Sequence, residues 1–170
     1  MKRDFSAILL FLISAASFSQ EWYSLKDGIL TLDNGEVKRI INLEGSIISS
    51  SGLILKGSNF NFFRKRSAEF RFTANDKIID GNSGWKLISC QPVSDSQSGK
   101  GGSLMLSGLN GAAGIEVRLD FILYPEMPVI RKYLTVRNTS DTDIRLEELD
   151  AEALNLNIDY ISAWIYHNFA

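Results

Sequence analysis

Apolar and polar residues alternate with a period of two through much of this chain, and this pattern constrains the fold more than any other feature. The clearest case is segment 115–121, Ile-Glu-Val-Arg-Leu-Asp-Phe, in which every second residue is apolar and the residues between are charged. Because successive side chains of a β-strand point to opposite faces, we expect this segment to bury one face and hydrate the other.

Turn signals separate the alternating segments. Asn34-Gly35 lies between two extended runs and predicts a hairpin, because both residues tolerate a positive φ. Many short strands divided by such turns are typical of an antiparallel β-sandwich, which is the all-β fold that we predict. The predicted strands are 29–32, 36–41, 53–55, 69–73, 78–79, 85–90, 104–106, 115–121, 129–137 and 144–149.

One strand has a helical alternative. Leu146, Leu149, Ala153 and Leu156 could line one face of a helix. The alternation before them and the adjacent turn favour a strand over 144–149 instead.

Segment 94–102 holds no apolar residue and is rich in serine and glycine, which predicts a mobile loop. In the strand before it, the alternation places Cys90 on the face opposite Trp85 and Leu87. This cysteine is the only one in the chain, so no internal disulfide can form and the fold must depend on an ordinary hydrophobic core.

Residues 1–19 have the layout of a secretory signal peptide: a charged start, an apolar run from Phe5 to Phe18 and small residues at the exit. The run is shorter than the roughly 20 apolar residues that a membrane span requires, so a retained anchor is the weaker alternative. Cleavage near Ser19-Gln20 is expected to export one domain, residues 20–170, to the periplasm or the extracellular space, with no stable membrane span.

The charge balance argues against a nucleic-acid partner. Loss of the leader changes the formal net charge from −2 to −3, whereas nucleic-acid binding requires a concentrated basic surface. The local basic cluster Arg64-Lys65-Arg66 is interpreted as a solvated loop.

No self-sufficient catalytic constellation is evident, and we predict no catalytic residue, metal site or cofactor. His167 is the only imidazole available to a nucleophilic triad, and one histidine with one cysteine does not make a zinc site. A carboxylate pair for glycoside hydrolysis has candidates in an acidic run that is more typical of a hydrated face. That run contains Glu147, Glu148, Asp150 and Glu152.

Two weaker signals surround one turn. Asn138, Asp141 and Asp143 carry oxygen ligands of the kind that hold Ca²⁺, although Asx-turn chemistry explains them equally well. Asn138-Thr139-Ser140 also matches the glycosylation sequon, a short pattern with many false positives.

Tryptophan side chains are candidates for sugar stacking, because their flat faces can cover the C–H side of a pyranose. Trp85 lies in a clear alternation and is expected in the core, and Trp22 lies near the processed end. Trp164 is the least explained of the three and is the one candidate substrate-binding residue.

The later half of the chain resembles a known family. The strand Tyr124-Pro-Glu-Met-Pro-Val-Ile-Arg-Lys, the turn Asn138-Thr-Ser and the strand Leu146-Glu-Glu-Leu-Asp resemble the N-terminal β-supersandwich of family-36-type glycoside hydrolases, the α-galactosidase or melibiase group. The hairpin at Asn34-Gly35 fits the opening of such a domain. The clear likeness covers 124–156, and a looser one covers most of the exported chain.

The resemblance implies a galactose-mutarotase-like supersandwich that precedes a (β/α)8 barrel, and in that family the barrel holds the catalytic carboxylates. No catalytic residue is carried over, because nothing here matches the barrel. The large apolar side chains of 158–170 then indicate an incomplete domain whose neighbouring barrel is missing. The expected function is the non-catalytic part of an exported hydrolase acting on α-galactoside-like glycans.

Three alternatives remain. A stand-alone carbohydrate-binding module would fold completely and bind sugar by itself, and a structural or adhesive domain would need no ligand. A mutarotase-type epimerase is less favoured, because that chemistry commonly depends on histidines and this chain has one.

Overall fold

The computed structural model describes residues 22–156, and nearly all of its regular structure is β-strand. The predicted leader, Trp164 and His167 lie outside these residues. A short 3-10 helix, Asn110–Ala112, joins two strands. The strands are β1 (Tyr23–Lys26), β2 (Ile29–Asp33), β3 (Val37–Asn42), β4 (Ser49–Leu55), β5 (Ser67–Ala68), β6 (Arg71–Ala74), β7 (Lys77–Asp80), β8 (Trp85–Ser94), β9 (Lys100–Gly108), β10 (Ile115–Leu123), β11 (Ile130–Asn138) and β12 (Leu146–Asp150).

The strands form three antiparallel sheets, which confirms the predicted all-β sandwich class. A five-stranded sheet has the order β1-β2-β3-β4-β5, and a four-stranded sheet has the order β11-β10-β9-β8. A three-stranded sheet has the order β12-β6-β7 and brings a late strand beside two early ones. Among residues 22–156, no helix is long and apolar enough to cross a membrane.

One hydrophobic core joins the three sheets. The odd-numbered side chains of β10, the strand with the clearest alternation, are buried there. They share one cluster with Leu30 of β2 and Phe72 of β6. Trp85 lies in the same core, with its indole N–H donating to the carbonyl of Asp80 at 2.7 Å, so the core prediction for this residue is confirmed.

The predicted hairpin at Asn34-Gly35 is confirmed and extends beyond its own turn. Gly35 adopts a φ of +86°, and Asn34 Oδ1 accepts the backbone N–H groups of Glu36 and Val37, each at 3.0 Å. The Asn34 amide also donates to the carbonyl of Tyr124 at 2.6 Å. One side chain therefore closes the β2–β3 turn and fixes it to the end of β10.

The loop predicted over 94–102 is too long. Strand β8 continues to Ser94 and β9 begins at Lys100, so the connection is only 95–99. Two of the three glycines that indicated a loop, Gly101 and Gly102, lie in the sheet at sites of close approach. A Cβ on Gly101 would lie 1.9 Å from the carbonyl oxygen of Phe121, and one on Gly102 would lie 3.2 Å from the ring of Tyr23.

The predicted orientation of Cys90 is wrong. The register of β8 on β9 shifts between Leu87 and Ser89, so Ile88 is an extra residue that inverts the alternation. Cys90 pairs with the buried Leu104 and packs against the core, as Leu87 does. Burial raises the pKa of its thiol.

The strand interpretation of the segment after residue 143 is confirmed, because β12 pairs with β6. Strand β12 contributes little to the core. Leu146 and Leu149 are both exposed. Its pairing with β6 and the contacts of the residues on either side, such as the hydrogen bonds between Arg145 and Asn75, hold it in place.

We expect Gly101→Ala to lower the free energy of unfolding by about 1–3 kcal/mol, because the new methyl group must displace backbone of β10. Gly111→Ala is the matched control, since a Cβ there meets nothing within 4 Å. Urea unfolding of the two variants and the parent chain measures the difference. Equal stability of both variants would show that the β9–β10 contact is looser than described.

Candidate functional site: a buried charge network

Four charged side chains meet inside the sandwich, where apolar residues are the rule. Arg39 occupies a core-facing position of β3 between Val37 and Ile41. Lys132 is at the corresponding inward phase of β11, and Glu69 directly follows β5. Glu152 completes the set from the segment after β12. These residues are called the charge network below.

Arg39 is the centre of the network. Its Nη1 and Nη2 donate to the two carboxylate oxygens of Glu152 at 2.7 and 2.8 Å, a bidentate pair. The same Nη2 donates to Glu69 Oε2 at 2.9 Å, and Nε donates to Ser50 Oγ at 3.0 Å. The side chain is only 4% exposed, so these contacts replace its hydration.

Glu69 is fully buried and is surrounded by donors. Its Oε2 accepts from Lys132 Nζ and from Arg39, each at 2.9 Å, while Oε1 accepts from the hydroxyl of Ser50. Lys132 Nζ also donates to the backbone carbonyl of Glu69. The carboxylate therefore joins the five-stranded sheet, through β3 and β4, to β11 of the four-stranded sheet.

Aromatic rings form the apolar walls of the network. The guanidinium carbon of Arg39 lies 5.4 Å from the ring centroid of Phe121 and 5.8 Å from that of Phe63. Lys132 Nζ lies 5.3 Å from the same Phe121 centroid. Both cations are within the range of a cation–π interaction, which is stronger in a site from which water is excluded.

Glu152 is the only member with substantial contact to solvent, at 26% exposure. Besides Arg39, it lies 3.4 Å from Lys132 Nζ. The chain that follows is also held: the N–H of Asn155 donates to Ser67 Oγ at 2.7 Å, and Leu156 forms a bridge with Phe63. Segment 152–156 is therefore anchored to the sandwich by an ion pair and by backbone contacts.

The electrostatics keep the network charged. Burial alone would raise the pKa of Glu69, but Arg39 and Lys132, with the Ser50 hydrogen bond, lower it from 4.5 to about 2. For Arg39, burial alone would lower the pKa, but Glu69 and Glu152 raise it above its ordinary value. Glu69 therefore stays ionised near neutral pH and is unsuited to carry a proton. What the network does chemically is hold two cations and two carboxylates together.

A polar cleft of about 460 Å³ opens beside the solvent-facing side of Glu152. Arg71 and Asp150 form an ion pair at 2.9 Å on its wall. The cleft is lined by Ala68, Arg71, Asp80, Asp150, Glu152, Ala153 and Leu154.

The acidic run predicted from the sequence is divided by the fold. Glu147 pairs with Arg145 at 3.4 Å, and Glu148 accepts from the hydroxyl of Thr73 at 3.1 Å. These exposed contacts match the expected hydrated face. Asp150 and Glu152 lie apart from them and line the cleft.

The turn that could have held calcium is closed by its own hydrogen bonds. Asn138 Oδ1 accepts the backbone N–H of Ser140 at 2.9 Å, and its amide donates to the carbonyl of Thr142 at 2.6 Å. Within residues 22–156, no group of three or more His, Cys, Asp or Glu side chains is placed to hold a metal ion. The Asx-turn reading accounts for this segment.

Of the three tryptophans, Trp85 is buried and Trp22 is half-buried, with Lys100 Nζ 5.8 Å from its ring centroid. The candidate Trp164 lies outside the described residues.

Comparison of the chain with protein-family models, curated proteins and solved structures gave no match. The glycoside-hydrolase resemblance is therefore carried by the residues of the sequence alone.

Sequence reasoning missed Arg39, Glu69 and Lys132. A signal existed for the two cations, because each occurs in phase with the apolar residues of its strand. Glu69 gave none, since it stands in the polar phase of the alternation Glu-Phe-Arg-Phe and is nevertheless buried.

We expect Arg39→Met to lower the free energy of unfolding by about 3–5 kcal/mol, because it leaves two carboxylates facing Lys132 alone. Lys38→Met is the control: that exposed lysine pairs with Asp33 at the surface, and its loss should cost less than about 1 kcal/mol. Denaturant unfolding at neutral pH compares them. Similar losses in both variants would contradict the central position assigned to Arg39.

Acid should weaken the fold through Glu69. Its pKa is lower in the folded chain, so its contribution is fully present above about pH 4.5 and is lost as the pH falls towards 2. We expect Glu69→Gln to be less stable at pH 7 and to lose less further stability between pH 5 and pH 2. Unfolding curves across this range give both slopes, and parallel slopes would refute the assignment.

Proposed function

We propose that this chain is the non-catalytic N-terminal β-sandwich part of an exported glycoside hydrolase that acts on α-galactoside-like glycans. The observation that carries the proposal is the anchoring of segment 152–156 by Glu152. A bidentate ion pair to a buried arginine fixes this last described segment on the sandwich. A segment fixed in this way is what a domain requires when it must hold a following domain in one orientation.

The residues that resemble the hydrolase family occupy the part of the fold where this anchoring occurs. They supply β11 with Lys132, strand β12, and the segment that carries Glu152. Strands β11 and β12 are both at the edge of their sheets within residues 22–156. An edge strand is a natural surface for a neighbouring domain, and we infer that a barrel following residue 170 packs here.

The network also supports a non-catalytic role for the sandwich. Its buried carboxylate is held ionised by two cations and a hydroxyl, whereas a glycosidase acid must be protonated at the working pH. In the proposed enzyme the barrel supplies both catalytic carboxylates. The leader at residues 1–19 accounts for export to the compartment where polymeric glycans are encountered.

Activity of a longer and a shorter protein tests the proposal. We expect the product of the natural reading frame continued beyond Ala170 to hydrolyse a nitrophenyl α-galactoside, and the product ending at Ala170 to be inactive. A reading frame that stops at Ala170, or turnover by the shorter product, would overturn it. A stop there would favour a stand-alone module.

Within the longer protein, Glu152→Gln tests the anchoring. The change weakens the bond to Arg39, so we expect a lower kcat/KM and a lower Tm. Glu147→Gln is the control, because the carboxylate of Glu147 pairs with the exposed Arg145 at the surface. Equal kinetics for the two variants would show that Glu152 does not position the following domain.

A further inference from the structure

The outward face of the four-stranded sheet carries a row of polar side chains that leads to an exposed aromatic ring. Residues opposite one another in register share a face, and Gln91, Ser103, Asp120 and Tyr133 follow each other across β8, β9, β10 and β11. They lie on the side of the sheet away from the core, since their neighbours Leu104 and Leu119 are buried. This set is called the outer row.

Asp120 is unusual for an outward position, because it is only 6% exposed. Its Oδ1 accepts from the hydroxyl of Ser103, and its Oδ2 pairs with Arg118 Nη2 at 2.9 Å. With so little of its surface exposed, the carboxylate does not itself reach a ligand. It fixes the direction of Arg118, whose side chain is 50% exposed and can donate hydrogen bonds to hydroxyl groups of a ligand.

A rigid loop, residues 95–99, lies beside the outer row. Asp95 accepts the N–H groups of Gln97 and Gly99, each at 2.8 Å, and the hydroxyl of Tyr124 at 2.6 Å. Gly99 is packed so tightly that a Cβ would lie 2.4 Å from Ile122. The 95–99 loop therefore has a fixed conformation.

Arg131 connects Tyr124, which holds this loop, to Tyr133. Its guanidinium carbon lies 5.2 Å from the ring centroid of Tyr124, and its Nη1 donates to the hydroxyl of Tyr133 at 3.4 Å. Tyr133 is 47% exposed, so it offers apolar ring surface beside fixed polar groups. A pyranose matches both features, because its C–H face can stack on the tyrosine ring and its hydroxyls can bond to the polar groups.

The charges of this face favour an uncharged ligand. Arg118 is paired with Asp120, Arg131 lies 3.8 Å from Asp95, and Arg137 lies 3.5 Å from Glu116. Each of these arginines has a carboxylate beside it, and Lys86 adds a single charge, so the described residues of this face do not form the concentrated positive surface that a polyanion requires. We propose that the outer row, with the adjacent Arg118, is a binding site for neutral oligosaccharide, in which Tyr133 is the stacking platform and Arg118, oriented by Asp120, is the hydroxyl partner.

This binding goes beyond the proposed hydrolase function, because it needs no catalytic domain and is measured on the chain itself. The probes are soluble galactomannan, cellohexaose and maltohexaose as neutral glycans, and polygalacturonate as the anionic one. Affinity electrophoresis and calorimetry measure binding. We expect a neutral glycan to bind and polygalacturonate not to bind.

Variants assign the binding to the outer row. Tyr133→Ala should weaken it about tenfold, and Tyr133→Phe should stay within about twofold of the parent, because the ring remains. Ile78→Ala changes an exposed residue of β7, in a different sheet, and should bind like the parent. Circular dichroism confirms that each variant is folded.

Three results would overturn the proposal: no binding to any neutral probe, binding to polygalacturonate alone, or unchanged affinity of Tyr133→Ala. None of them bears on whether a longer protein hydrolyses an α-galactoside. Hydrolysis without binding by the outer row would equally leave the proposed function intact.

Discussion

The contact between Arg39 and Glu69 is the constraint on which the architecture depends. Two opposite charges are enclosed between sheets, and neither is hydrated enough to remain stable without a partner. Removing charges from water costs several kcal/mol per ion, so such a pair adds little net stability compared with a well-packed apolar pair. Its effect is on geometry, because an arrangement of the sheets that parted the pair would leave a charge buried without a partner.

Local pattern was sufficient for most of the strands. The prediction of β10 is confirmed, because the alternation over 115–121 is uninterrupted and one face meets a continuous core. The prediction of the β2–β3 hairpin is confirmed, because Asn34-Gly35 contains the whole turn chemistry in two residues. The segment before Asp150 is a strand although its leucines are exposed, because β6 supplies a backbone partner.

The remaining features depend on partners distant in sequence. Nothing near Ile88 announces the bulge that turns Cys90 inward, because that bulge is a mismatch between two strands. The glycines at 101 and 102 resemble those of a loop until the proximity of Phe121 and Tyr23 is known. Glu152 could not be chosen from four neighbouring acids, since its role follows from the path of the chain past Arg39. The two cations that pair with Glu69 are 30 and 63 residues away.

The amide of Asn34 has a consequence for the lifetime of the protein. An asparagine followed by glycine is the sequence at which side-chain amides are lost most readily to hydrolysis as a protein ages. Here the amide nitrogen donates to the carbonyls of both Tyr124 and Met127, at 2.6 and 2.9 Å. Deamidation would place a negative oxygen against two carbonyl oxygens and would release the end of β10 from the first hairpin. The same hydrogen bonds restrain the side chain from the rotation that the reaction needs, so the folded state slows the loss of this amide.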